Sequence, residues 1–224
     1  MNLCDYPDAE MMAIDVANQL AGELTAALKH ETRVLFVVPG GSTPGPIFDA
    51  LCEADLDWSR VDVLLSDERW VPEVHIRSNT RLIRQRLLVG RAARAQYLPL
   101  YARAETPENV LAELEANIVP RLPITVCLLG MGADMHTASL FPGGDNLDTA
   151  LSGRAPVLVA MRADTVEDPR ITLSARVLND ALCKHIVITG RQKRNALDRA
   201  GQMTRDEAPI RAVWENATVH WAEE

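Results

Sequence analysis

Apolar residues recur every three to four positions through AEMMAIDVANQLAGELTAALKH, which predicts an amphipathic helix over Asp8 to His30 with Asp8 as its N-cap. The next pattern is different. RVLFVV, Arg33 to Val38, is a continuous run of β-forming residues, as expected of a strand buried on both faces. Similar short runs follow at VDVLLS (Val61 to Ser66), ITVCLLG (Ile124 to Gly130), PVLVAM (Pro156 to Met161) and HIVITG (His185 to Gly190). Helical periodicity lies between many of them, at Ile47 to Ala54, Thr80 to Leu88, Pro107 to Ile118, Ala175 to Leu182 and Arg191 to Ala200.

Buried strands alternating with helices predict a Rossmann-like α/β fold. It has three layers, α/β/α, with a mainly parallel sheet, helices on both faces and right-handed crossovers. Ligands in such folds sit beyond the carboxyl ends of the strands. The loops to inspect are therefore PGGSTPG after Val38, DERWVPEVHIRSN after Ser66, GADMH after Leu129 and GRQK after Thr189. The 224 residues read as one domain, with an acidic helix occupying the 32 positions before the first strand and GRAARAQ (Gly90 to Gln96) as a mobile connection.

Composition narrows the partners. With 23 basic and 31 acidic residues, net −8, the chain is poorly suited to long nucleic-acid backbones or anionic membranes, although a few local cations suffice for a small anion. No apolar run approaches membrane-spanning length, and the acidic N-terminus is unlike a signal peptide. Cys4, Cys52, Cys127 and Cys183 show no metal or redox spacing and read as reduced, mostly buried thiols of a cytoplasmic protein.

Each loop offers chemistry and a plainer alternative. In Gly40-Gly41-Ser42-Thr43, glycines permit close backbone approach and the hydroxyls can hold a phosphate or sugar, while an ordinary turn with a Ser or Thr cap explains the same residues. No G-K-[ST] ending implies ATP or GTP. Asp67, Glu68 and Arg69 put two carboxylates and a guanidinium at a strand end; Ser78-Asn79-Thr80 reads more naturally as a helix cap than as a substrate contact. GMGADM departs from the dinucleotide fingerprint at Met135, so NAD and FAD are rejected. His136 then stands out from His30, His75, His185 and His220, because it follows a glycine turn at a strand end with Asp134 two residues before it. A neutral imidazole there can take a proton from water. Arg170 and Lys193 bring cations near two further strand ends; Lys193 in the first turn of a helix opposes the helix dipole, a conflict that a bound anion would resolve, while a solvated surface lysine explains the same residue.

Taken together, GGSTP, SDERWVP with SN, GMGAD-HTASLFPG, RITLS and GRQK, in that order, resemble the bacterial-type 6-phosphogluconolactonases, within the fold group that includes glucosamine-6-phosphate deaminase. The resemblance implies hydrolysis of a phosphorylated sugar lactone without a cofactor or metal. It implies His136 as general base, Asp134 or Asp67 orienting it, Arg69 at the sugar or carbonyl oxygen, and Arg170 and Lys193 with the Gly40–Thr43 turn and Asn79 holding the phosphorylated substrate. Two rivals remain on the scaffold: an isomerase or deaminase, which shares GGSTP but not HTASLFPG, and a non-catalytic sugar-phosphate sensor. One position departs from the pattern. The family usually has glycine where this chain has Met135, and a positive φ there would cost methionine about 1–3 kcal/mol.

Overall fold

The computed structural model describes residues 1–223. In chain order the elements are β1 (Asn2–Tyr6), α1 (Ala9–Ala27), β2 (Val34–Val38), α2 (Gly45–Leu51), β3 (Val61–Leu65), β4 (Asp67–Arg69), α3 (Asn79–Arg86), β5 (Gln96–Leu98), α4 (Leu111–Ile118), β6 (Val126–Gly130), α5 (Leu147–Leu151), β7 (Leu158–Met161), β8 (Arg170–Leu173), α6 (Ala175–Asn179), β9 (Cys183–Thr189), α7 (Arg191–Ala200) and β10 (Thr218–Ala222). Seven strands form one sheet in the order β1-β10-β9-β6-β2-β3-β5, and every neighbouring pair is parallel. Every residue of β2 and β3 is buried, as a sheet covered on both faces requires. α1 packs on α2 and against β2, β6 and β10, while α7 lies against β9. Asp8 caps α1 as expected, its Oδ1 accepting from the Met11 N–H at 2.7 Å.

The chain winds outward from β2 in both directions. β3 and β5 lie on one side of it, β6, β9, β10 and β1 on the other, so β2 and β6 flank the point where the winding reverses. Loops leaving their carboxyl ends diverge there and open a crevice.

Several expectations are corrected. The stretch before the first expected strand is not all helix: Asn2–Tyr6 forms the edge strand β1 beside β10, a partner from the far end of the chain. PVLVAM does not join the parallel sheet, because β7 pairs antiparallel with β8 in a second sheet ordered β4-β8-β7. Arg170 accordingly starts a strand rather than ending one, and the antiparallel pairing of β8 with β4 brings that start beside Arg69. DERWVPEVHIRSN contains β4, and the GRAARAQ segment is ordered: Gly90–Arg94 is a short 3-10 helix with Ala92 buried and its N–H donating to the Cys52 carbonyl. Ser66 joins the two sheets, its N–H donating to the Val38 carbonyl and its own carbonyl accepting from Leu173 N–H.

Candidate active site

The crevice is a cleft of about 330 Å³ at the carboxyl ends of β2, β3, β6 and β9. Its wall brings together Gly40, Gly41, Ser42, Thr43, Asp67, Arg69, Asn79, His136, Arg170 and Lys193. Asp134 is the one expected site residue outside the wall. It stands behind the imidazole, its Oδ1 2.5 Å from His136 Nδ1. Burial pushes the Asp134 carboxyl up, but the hydrogen bonds and charge of His136 outweigh it and hold the group below its ordinary value.

The glycine turn makes this pair feasible. A Cβ on Gly132 would fall 2.3 Å from His136 Nδ1 and 2.4 Å from Asp134 Oδ1, so any larger residue displaces one of them. Gly132 also closes the loop by donating its N–H to the His136 carbonyl at 2.9 Å. Between the partners, Met135 has φ 67°, the left-handed conformation in which the family pattern has glycine. Its side chain is only 8% exposed and belongs to the hydrophobic core, so packing offsets the backbone cost. Phe141 backs the imidazole with ring centroids 4.8 Å apart.

Asp67 is occupied elsewhere. Its Oδ1 accepts from Ser66 Oγ at 2.9 Å and its Oδ2 from Ser139 Oγ at 2.6 Å, which leaves Asp134 as the carboxylate on the imidazole. Strand alternation points Asp67 and Arg69 to the cleft and Glu68 to the opposite face of β4. Arg69 and Arg170 are direct cross-strand partners in the antiparallel register, two like charges side by side. Among the described residues neither of them, nor Lys193, has an ion-pair partner, and the Nε atoms of both arginines are buried without an acceptor. Burial pushes Arg170 and Lys193 down from their usual ranges. Cations gathered at such a cost are chemically suited to accept a small anion.

Ser78, not Asn79, caps α3, its Oγ accepting from Arg81 N–H, as the plainer reading of that segment expected. Asn79 braces the wall instead: its Nδ2 donates to the Asp67 carbonyl at 3.0 Å, and its Oδ1 occupies the space a Cβ on Gly40 would need, 1.9 Å away. Ser42 and Thr43 precede α2, whose N-cap is Pro44 with no side-chain bond, so neither hydroxyl is spent on capping. Gly132, Ser139 and Phe141 were missed in the sequence, and Glu68 was noted there only as a second carboxylate at a strand end. Gly132 and Ser139 were visible inside the GMGADMHTAS motif, but their roles depend on contacts across the turn and to β4.

Fold and cleft together define an α/β protein of the doubly covered, parallel-sheet class with an imidazole and unpaired cations at its switch point. The family model described as glucosamine-6-phosphate isomerases/6-phosphogluconolactonase matches residues 7–221, and the chain belongs to that family. It is 41% identical to a 6-phosphogluconolactonase of Pseudomonas aeruginosa, over 96% of this chain and 92% of the relative. One from Rhizobium meliloti is 38% identical over 99% and 98%. A crystal structure of a 6-phosphogluconolactonase from Shewanella baltica superposes with a TM-score of 0.95 at 31% identity, covering 99% of this chain and 97% of that one.

Proposed function

We infer that the chain hydrolyses 6-phosphoglucono-1,5-lactone to 6-phosphogluconate, the lactone step of the pentose phosphate pathway. The full-length similarity to proteins of that name supports the activity. The observation that carries the mechanism is the His136–Asp134 pair facing a cleft whose wall also holds Arg170 and Lys193, neither with an ion-pair partner among the described residues. Asp134 at Nδ1 keeps a proton on that nitrogen and leaves Nε2 free to accept one.

A water oxygen attacks C1 while its proton passes to His136 Nε2. The carbonyl electrons move onto oxygen, and Arg69 stabilises that oxyanion. When the tetrahedral centre collapses, the bond from C1 to the ring oxygen breaks and the imidazolium returns its proton to that oxygen. The open acid is released as its carboxylate. Arg170 and Lys193, with the Ser42–Thr43 hydroxyls, grip the phosphate, and this distal binding fixes the ring against the base. The reaction belongs in the cytoplasm, a reading supported by four free cysteines.

The test is proton release on adding freshly generated lactone, corrected for spontaneous hydrolysis. His136→Ala is expected to lower kcat about 10²–10⁴-fold with a small change in KM. Unchanged turnover in that variant removes His136 from the mechanism; turnover of glucosamine 6-phosphate in place of the lactone overturns the substrate.

A further inference from the structure

The β4 strand carries a carboxylate that the proposed chemistry does not use. Glu68 is fully buried on the face of β4 turned away from the cleft, and it meets the amino end of α3. Its Oε1 accepts from the backbone N–H groups of Arg69 at 2.8 Å and Asn79 at 2.7 Å. Its Oε2 accepts from Thr80 N–H at 2.7 Å, Thr80 Oγ1 at 2.7 Å and Ser78 Oγ at 3.2 Å. Thr80 Oγ1 in turn lies 2.6 Å from Tyr97 Oη on β5. Every partner is a donor to one oxygen or the other. Burial pushes the Glu68 carboxyl up, and the donors from Asn79, Thr80 and Arg69 oppose that. An acceptor-only group fits all five contacts; a carboxamide does not, because either orientation of its NH₂ faces at least two donors.

We propose that Glu68 is a positioning residue: its carboxylate pins the backbone of Arg69 and the first turn of α3 together, and so aims the Arg69 guanidinium into the cleft. The geometry is suited to this because Glu68 grips the very residue whose side chain emerges on the other face. Arg69 is otherwise held at its far end by a bond from Nη1 to the Arg77 carbonyl, and it stands opposite Arg170, whose like charge pushes it away. A three-residue strand has little ladder of its own to resist that push.

The inference rests on the proposed role of Arg69, and a double-mutant cycle separates the two. kcat/KM for the phosphorylated lactone is measured in the parent, Glu68→Gln, Arg69→Met and the double variant, with circular dichroism to establish folding. Glu68→Gln is expected to lower kcat/KM at least tenfold in the parent and no more than about threefold in the Arg69→Met background. A side chain that only supports the fold gives the same factor in both, and that result, or parental kcat/KM in Glu68→Gln, overturns the proposal. Should Glu68→Gln not fold, Thr80→Val removes one Oε2 donor and keeps the carboxylate; a loss of at least threefold, absent from the Arg69→Met background, is expected, and equal losses in both overturn it. If Arg69→Met keeps parental kcat/KM while His136→Ala is impaired, the role of Arg69 fails and this inference with it. If His136→Ala also keeps its turnover, the mechanism as a whole is at fault.

Discussion

Asp134 Oδ1 lies 2.5 Å from Nδ1 of His136, two residues along the same turn, while Asp67 is engaged by Ser66 and Ser139. The sequence left the choice between the two carboxylates open; the turn decides it. Asp134→Asn retains the shape but presents either a neutral carbonyl or an NH₂ to Nδ1, so the imidazole loses charge support and tautomer control. A fall in kcat of about 10²-fold is expected, with KM within a few-fold of the parent. Asp67→Asn is expected to cost less in kcat, and steady-state kinetics on the two variants checks the order.

Gly132→Ala tests the same pair without touching either partner. The added carbon would overlap the imidazole and the Asp134 carboxylate at 2.3–2.4 Å, so one of them must turn away. kcat should fall at least ~10-fold, as expected when a general base is misaligned, while the far-ultraviolet circular dichroism stays that of the parent.

Met135→Gly separates strain from packing. Relief of the left-handed methionine at φ 67° is worth about 1–2 kcal/mol. Loss of a core methionine side chain costs about 2–5 kcal/mol. Packing is the larger effect over most of those ranges, so the variant is expected to be less stable by up to about 4 kcal/mol in urea unfolding. No large gain in kcat should accompany it; a large gain would mean that the methionine impairs the turn.

Arg170→Met and Lys193→Met each remove a cation without an ion-pair partner among the described residues. A charge-assisted hydrogen bond contributes about 1.5–3 kcal/mol, so KM for the phosphorylated lactone should rise roughly 10- to 100-fold. The effect should be much smaller on an unphosphorylated lactone, and equal effects on both substrates would argue against phosphate contact.

Stability, as distinct from activity, should respond to His220. Between α1 and the sheet a chain of hydrogen bonds, buried at its centre, runs from Glu23 to His185 Nε2 (2.8 Å), His185 Nδ1 to His220 Nε2 (2.9 Å), His220 Nδ1 to Tyr6 Oη (2.9 Å) and Tyr6 Oη to Asp15 (2.6 Å). Burial and the neighbouring His185 push His220 down to about 4 from 6.5, against the opposing charge of Asp15. The folded protein therefore favours the neutral ring. Its contribution is complete above pH 6.5 and is lost as pH falls toward 4, a change of about 3 kcal/mol by linkage. Replacing His220 with Asn should flatten the pH dependence of the unfolding free energy in that window relative to the parent.

Much of the fold was legible because it is written locally. β2, β3, β6 and β9 announce themselves as apolar runs, since a strand buried on both faces has no polar side to show. The helices between them follow from periodicity, and α7 has the boundaries expected of it. β1 and β10 were not legible: each is short, β1 becomes a strand only by pairing with β10 from the far end of the chain, and β10 sits between β1 and β9. β4 read as loop because three charged residues form a strand only when β8 supplies the partner.

The site divides the same way. Loop position singled out His136, Lys193 and the Gly40–Thr43 turn, and the order of motifs shared with the family nominated them together with Arg69 and Arg170; Arg170, expected near a strand's end, proved to begin β8. Only the tertiary structure decided which carboxylate touches the imidazole, that Glu68 faces away from its neighbours Asp67 and Arg69, and that Arg69 and Arg170 stand side by side. Distances of that kind depend on strand register and on which face a side chain takes, and a chain acquires both only when its distant segments pair.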